Sequence, residues 1–323
     1  MKKTLSISIA ICVLLLSGCG TPDVEPPTAT APPTEAPAAP TLSNVFYLDD
    51  NNPNHTLDIY LPADAIGALP TLLMLHGGGG AKEDLIDIGD YFADQGYAVV
   101  IPEYEYGNET QFTFQDLFCS LAWVHANPDQ YDFDSQRIYL FGFSFGGYLS
   151  ASLGSFKEIS QYLEDCPYSI PEADRVKGII TYAGMFITQE VCMAPEGGWC
   201  MAGAANDNNI PLMEMAEIFE ALRGVPSSNW KDSSELNEAA RDFAKGLPLY
   251  WLDGSEPPFL IIHGDADDMV SIVESEAFAR AVQEAGGEVE FVSIPGAGHF
   301  SLSLASPSFA KIAEETEAFV SGQ

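Results

Sequence analysis

The sequence predicts an α/β fold: a mostly parallel, doubly wound sheet with helices on both faces. Three observations lead there. The chain has 323 residues, 46% of them hydrophobic, enough to bury a sizeable core. From about residue 42, short runs rich in Val, Ile and Leu alternate with amphipathic stretches. Four runs end in "LHGGGG", "GFSFGG", "HGDADD" and "PGAGH", and parallel sheets carry their chemistry at the carboxyl ends of strands.

The elements follow in order. "TLLMLHG" (71–77) reads as a buried strand between Pro70 and the glycines, and "IDIGDYFADQG" (86–96) as a helix stopped by Gly96. "YAVVIPEY" (97–104) is the next strand. "FQDLFCSLAWVHANP" (114–128) has apolar residues at helical spacing. "RIYLFGFS" (137–144) is a strand, and "FGGYLSASLGS" begins a helix. Strands are expected at 176–184, 258–265 and 289–296, and amphipathic helices at 271–287 and 308–322. Residues 185–250 break this rhythm with a cysteine-bracketed loop, a helix near "PLMEMAEIFEALRG" and a polar stretch. They read as a cap inserted over the site of a domain spanning 42–323.

The start of the chain lies outside that domain. "MKKTLSISIAICVLLLSGCG" has two lysines, an apolar run and a small-residue site ending at Cys19, the layout of a signal peptide over residues 1–18. Its apolar run is short for a spanning helix, which needs about 20 residues. "LSGC" resembles the lipobox of bacterial lipoproteins. That resemblance implies cleavage before Cys19, lipidation of its thiol and new amino group, and anchorage to a membrane outside the cytoplasm. Residues 19–41, rich in Pro, Thr and Ala, cannot bury a core and read as an extended tether.

The formal charge is −34, from 13 basic and 47 acidic residues. It argues against nucleic acid and against electrostatic adhesion to anionic lipid, and for a solvated, soluble surface. Of six cysteines, Cys12 leaves with the signal and Cys19 takes lipid. Cys119, Cys166, Cys192 and Cys200 remain, in a compartment where disulfides persist. Four cysteines allow three pairings. The turn-forming "MAPEGGW" between Cys192 and Cys200 favours 192–200 with 119–166. No CxxC or nearby histidine pair points to zinc.

Gly142-Phe143-Ser144-Phe145-Gly146 fits G-x-S-x-G between a strand and a helix, a nucleophile elbow. Such a turn displays the serine hydroxyl above the sheet, and only small residues fit two positions away on either side. A serine needs a base. Of His55, His76, His125, His263 and His299, the last lies on a glycine-rich loop that lets it reach the elbow. His263 sits in an apolar strand and reads as a core residue, His125 as structural, and His55 has no evident partner. The base needs an acid to fix its tautomer. "HGDADD" offers Asp265, Asp267 and Asp268. Asp267 is preferred, standing where the loop turns toward the histidine; Asp265 reads as a brace and Asp268 is the next candidate. An oxyanion needs donors, here the backbone amides of Gly77, Gly78 and Phe145. "HGGGG" lacks the G-K-[ST] of a Walker loop.

Taken together, His76 to Gly79, Ser144 in GFSFGG, Asp267 in HGDADD and His299 in PGAGH resemble the α/β-hydrolase superfamily. The resemblance is to its esterases with an HGGG oxyanion loop: the hormone-sensitive-lipase-like group and the acetyl- and feruloyl-esterase-like group. It covers about 42–322 and implies the α/β-hydrolase fold, hydrolysis of a small or polymer-borne ester through an acyl-enzyme, and no cofactor or metal. One departure stands out. The lipase-like group has an acidic residue before the serine and alanine after it, whereas here both are phenylalanine. That flank is closer to the GxSYGG of prolyl-oligopeptidase-type peptidases, whose β-propeller has no room before residue 71. A peptidase, a thioesterase and a non-catalytic ligand-binding lipoprotein are the other readings. The last is opposed by the retained serine, histidine and glycines. Phe143, Phe145, Tyr104, Tyr106 and Trp199 are candidates to line the substrate pocket.

Overall fold

The computed structural model describes residues 40–64, 66–106, 110–171, 175–193 and 208–323. The predicted signal, Cys19, the tether as far as residue 39, Trp199 and Cys200 lie outside them.

Eight strands form one sheet: β1 (Leu42–Phe46), β2 (Thr56–Tyr60), β3 (Leu69–Leu75), β4 (Ala98–Pro102), β5 (Phe133–Phe143), β6 (Gly178–Tyr182), β7 (Phe259–Gly264) and β8 (Val289–Ile294). Their spatial order is β1-β2-β4-β3-β5-β6-β7-β8. From β4 to β8 every neighbouring pair is parallel; β1 and β2 join one edge antiparallel. β5 lies between β3 and β6, in register at Leu73–Leu140 and Phe141–Ile180. The elbow serine at its end is therefore flanked by strands on both sides.

Seven helices of eight residues or more are described: α1 (Ile86–Asp94), α2 (Thr110–Ala126), α3 (Phe145–Ser155), α4 (Leu212–Arg223), α5 (Glu238–Lys245), α6 (Ile272–Ala285) and α7 (Phe309–Gly322). Successive strand residues point to opposite faces, and both faces are covered. Leu73, Val100, Leu140, Ile179 and Ile261 pack with α2, α3 and α6. Their neighbours Leu72, Val99, Phe141, Ile180 and Ile262 pack with α1 and α7. Two-sided burial is why these strands read as continuous apolar runs rather than alternating ones. Helix ends follow local chemistry. The Ser271 hydroxyl accepts the Val273 amide at the start of α6, and Gly286, at φ +89°, takes the left-handed turn that ends it.

Cys119 on α2 is bonded to Cys166, as expected, across a sequence separation of 47. Cys192 is also disulfide-bonded. Closing a loop of 47 residues constrains the unfolded chain by about 4 kcal/mol. The Cys119→Ser/Cys166→Ser double variant is expected to lose stability of that order in urea unfolding.

His55, without an evident partner in the sequence, sits between two carboxylates. Nδ1 lies 2.5 Å from Asp50 Oδ2 and Nε2 lies 3.1 Å from Asp116 Oδ1. The hydrogen bond to Asp116, opposed by burial and helped by Asp50, lifts its pKa from 6.5 to about 9. A raised histidine pKa stabilises the fold fully below the unfolded value and loses that contribution as pH rises through the folded one. Stability is thus expected to fall between pH 6.5 and about 9. His55→Gln should flatten that slope in denaturation curves taken across the range.

Candidate active site

β5 ends at Phe143, α3 begins at Phe145, and Ser144 holds the corner between them with φ +56° and ψ −119°. A non-glycine residue there costs about 1–3 kcal/mol and persists only where its surroundings enforce it. The enforcement is visible. A Cβ on Gly142 would sit 2.0 Å from Gly146 O, and one on Gly146 would sit 2.3 Å from Leu75 O. Strand, helix and glycine loop meet backbone to backbone, so the corner closes only with glycine at both positions. The Ser144 amide donates to Tyr182 O at 3.0 Å, and Gly147 N donates back to Ser144 O at 2.9 Å.

The loop after β8 brings His299 over the corner. Its Nε2 is 3.0 Å from Ser144 Oγ, and its Nδ1 is 2.8 Å from Asp267 Oδ2. The imidazole is 4% exposed and leans on Phe143 and Phe300. The Asp267 side chain is fully buried. Its Oδ1 accepts the amides of Met269 and Val270, each at 2.9 Å, which leaves Oδ2 for the histidine. Serine, histidine and aspartate, 155 and 32 residues apart in sequence, thus form one hydrogen-bonded line. Asp265 braces the turn instead, its Oδ1 accepting Gly296 N at 2.6 Å, and Asp268 faces solvent.

Two neighbours complete this line, and the first, Tyr182, had no signal in the sequence. Tyr182, on β6, accepts the Ser144 amide through its carbonyl and donates its hydroxyl to Gly298 O at 2.6 Å. It ties the serine corner to the histidine loop. His263 is the buried core residue the strand pattern predicts, with Nδ1 2.7 Å from Ser275 Oγ and Nε2 3.0 Å from Val270 O. Nε2 also lies 3.3 Å from Asp267 Oδ2. Burial pushes the His263 pKa down, keeping the imidazole neutral.

The glycine loop leaves β3 beside the serine. A Cβ on Gly77 would lie 3.5 Å from Ser144 Cβ, and one on Gly78 would lie 3.3 Å from Phe145 Cβ. The three predicted oxyanion residues therefore share one spot. Phe145 opens α3, where the helix offers its amide no acceptor. His76, at the loop's base, is fully buried and stacks on Tyr104 at 4.0 Å.

Cavities flank the corner on two sides. The larger, about 600 Å³, is lined by Tyr106, Phe145, Tyr148, Met185, Ile187 and Leu247, among others. The smaller, about 410 Å³, is lined by Gly77 to Gly80, Phe143 and Phe300. Met185, Ile187, Asn208, Asp242, Phe243 and Leu247, from the stretch between β6 and β7, supply one wall of the larger cavity. Of the predicted pocket aromatics, Phe145 and Tyr106 line the first and Phe143 the second. Tyr104 lines neither: it is 2% exposed and packed under His76.

A mostly parallel sheet with a serine elbow, then an aspartate and a histidine on later strand ends, defines the α/β-hydrolase class. Within it, this chain belongs to the BD-FAE family, whose model matches residues 57–282. That span includes Ser144 and Asp267 and ends before His299. The chain is 26% identical over 264 residues to esterase LipC of Mycobacterium tuberculosis, covering 79% of this chain and 58% of that one. It is 24% identical over 267 residues to isoprenylcysteine alpha-carbonyl methylesterase ICME of Arabidopsis thaliana, covering 80% of this chain and 56% of that one. The chain thus spans little more than half the length of these curated relatives. The butyrate-bound structure of esterase Est2 from Thermogutta terrifontis superposes with a TM-score of 0.61 at 21% identity. It covers 88% of this chain and 94% of that one, and it shares the fold.

Proposed function

We propose that the chain is a serine carboxylic-ester hydrolase working through an acyl-enzyme on Ser144. The observation that carries this reading is the line Ser144 Oγ–His299 Nε2 at 3.0 Å and His299 Nδ1–Asp267 Oδ2 at 2.8 Å, set against a glycine loop. Kinship with LipC and ICME, both named as esterases, supports ester over amide.

Ser144 Oγ attacks the ester carbonyl carbon as its proton passes to His299 Nε2. Asp267 holds the ring with its proton on Nδ1 and faces the imidazolium that forms. The carbonyl oxygen becomes an oxyanion and takes hydrogen bonds from the amides of Gly77, Gly78 and Phe145. The tetrahedral species collapses, the ester C–O bond breaks, and His299 gives its proton to the leaving alcohol. Water, deprotonated by His299, then attacks the acyl-serine and releases the acid.

The deciding experiment is hydrolysis of p-nitrophenyl acetate, butyrate and octanoate beside aminoacyl-p-nitroanilides by residues 42–323. Ester turnover without anilide turnover is expected, and the chain-length profile sizes the acyl cavity. Anilide turnover alone overturns the reading in favour of a peptidase. We further propose that lipid on Cys19 tethers the enzyme outside the cytoplasm. The support is the "LSGC" box followed by the Pro/Thr/Ala-rich segment, and mass spectrometry of the mature N-terminus tests it.

A further inference from the structure

We infer that Tyr104 and His76 are positioning residues that aim the oxyanion-hole amides, each by fixing the carbonyl on the other side of a peptide. The inference rests on the esterase reading.

In a trans peptide, the C=O of one residue and the N–H of the next are locked in one plane and point in opposite directions. Fixing the oxygen therefore aims the N–H. The Gly77 amide shares its peptide with the His76 carbonyl. That oxygen accepts the Tyr104 hydroxyl at 2.7 Å. The Gly78 amide shares its peptide with the Gly77 carbonyl. That oxygen is held by His76 Nδ1 at 2.9 Å and by Gly80 N at 3.1 Å. A carbonyl only accepts, so Nδ1 is the donor. Both predicted oxyanion donors on this loop are thus set from behind.

Glycines need such help, because their backbone is the least constrained of any residue. The props are rigid. The His76 and Tyr104 rings stack at 4.0 Å and 7°, and His76 is fully buried. Burial lifts the Tyr104 pKa well above its usual value, so the phenol keeps its proton to donate. Glu103 lies 3.4 Å from His76 Nε2 through Oε1, and its Oε2 accepts the Lys82 amide at 3.0 Å.

The test compares p-nitrophenyl acetate with its thionoacetate analogue, in which sulfur replaces the carbonyl oxygen. Sulfur accepts hydrogen bonds weakly, so misaimed amides penalise the oxygen ester selectively. Removing an oxyanion donor outright costs about 10²–10³-fold in kcat, so Tyr104→Phe, which only misaims one, is expected to cost about 10–100-fold on the acetate. KM should hold within about 2-fold, because only transition-state binding is lost. The thionoacetate rate should fall much less.

His76→Asn and His76→Gln give the second readout. The asparagine amide nitrogen stands near the place of Nδ1 and keeps the donor to Gly77 O, whereas glutamine reaches past it. Gln is expected to show the same selective loss as Tyr104→Phe, and Asn to be largely spared. Equal losses on both esters, or equal effects of Asn and Gln, overturn the inference in favour of simple packing. If Tyr104→Phe fails to fold, the Asn–Gln comparison decides. A wild type inert on both esters overturns the esterase reading itself, and the positioning role with it.

Discussion

Ser144→Ala is expected to lower kcat on p-nitrophenyl butyrate by about 10⁴-fold or more while leaving the fold intact. The loss is large because the hydroxyl is the part of the side chain that reacts, and among the described residues it is the group that meets His299 Nε2, at 3.0 Å. The fold is spared because alanine meets the same backbone demand as serine at φ +56°, and the hydrogen bonds that enforce the corner are backbone ones. Single-turnover assays beside thermal unfolding separate the two effects. A folded variant that keeps wild-type turnover places the nucleophile elsewhere.

Asp267→Asn is expected to cost about 10³–10⁴-fold in kcat. The geometry says why the isosteric change is so harmful. Oδ1 accepts two backbone amides, from Met269 and Val270, so the oxygen of asparagine must take that place. Its NH₂ group then faces His299 Nδ1, which can only pair with it as an acceptor. The imidazole proton moves to Nε2, and the ring can no longer take the proton of Ser144. The same NH₂ also meets Nε2 of His263, whose N–H already donates to Val270 O. Asp265→Asn is the contrast. Its oxygen accepts Gly296 N and an amide oxygen does the same work, so turnover should hold within about 2-fold. A reversal of the two effects would assign the acid to Asp265.

The parallel core and the serine line were legible because each rests on a backbone constraint that leaves a residue signature. Two-sided burial leaves unbroken apolar runs, as in β3 and β7. The elbow leaves glycine at 142 and 146. The acid and base follow from which strand ends remain. β1 and β2 leave no such mark. β1 is a largely exposed edge strand, and β2 carries Asp58, buried against Lys82 at 2.9 Å, in the middle of its apolar run. α2 begins at Thr110, four residues earlier than its apolar periodicity suggests, because its first turn is polar. Tyr104 and Tyr182 were illegible for another reason. A tyrosine in or after a strand is ordinary, and only coordinates reveal which carbonyl its hydroxyl reaches. His55 looked solitary because Asp116 lies 61 residues away in sequence.

Tyr182 gripping both the serine corner and the histidine loop has a consequence for descent. The residue closes β6, immediately before the long crossing to β7 that walls the larger cavity. Tyr182 fastens the serine corner to the histidine loop before that crossing begins, and among the crossing's described residues only its first ones touch the corner, Met185 N donating to Ser144 O at 3.4 Å. Beyond Met185 the crossing can lengthen, shrink or be traded for another without loosening that fastening. On the proposed esterase reading, a lineage built this way inherits its chemistry and its choice of ester on separate stretches of chain. New diets can be tried by rewriting one stretch while the other is copied unchanged.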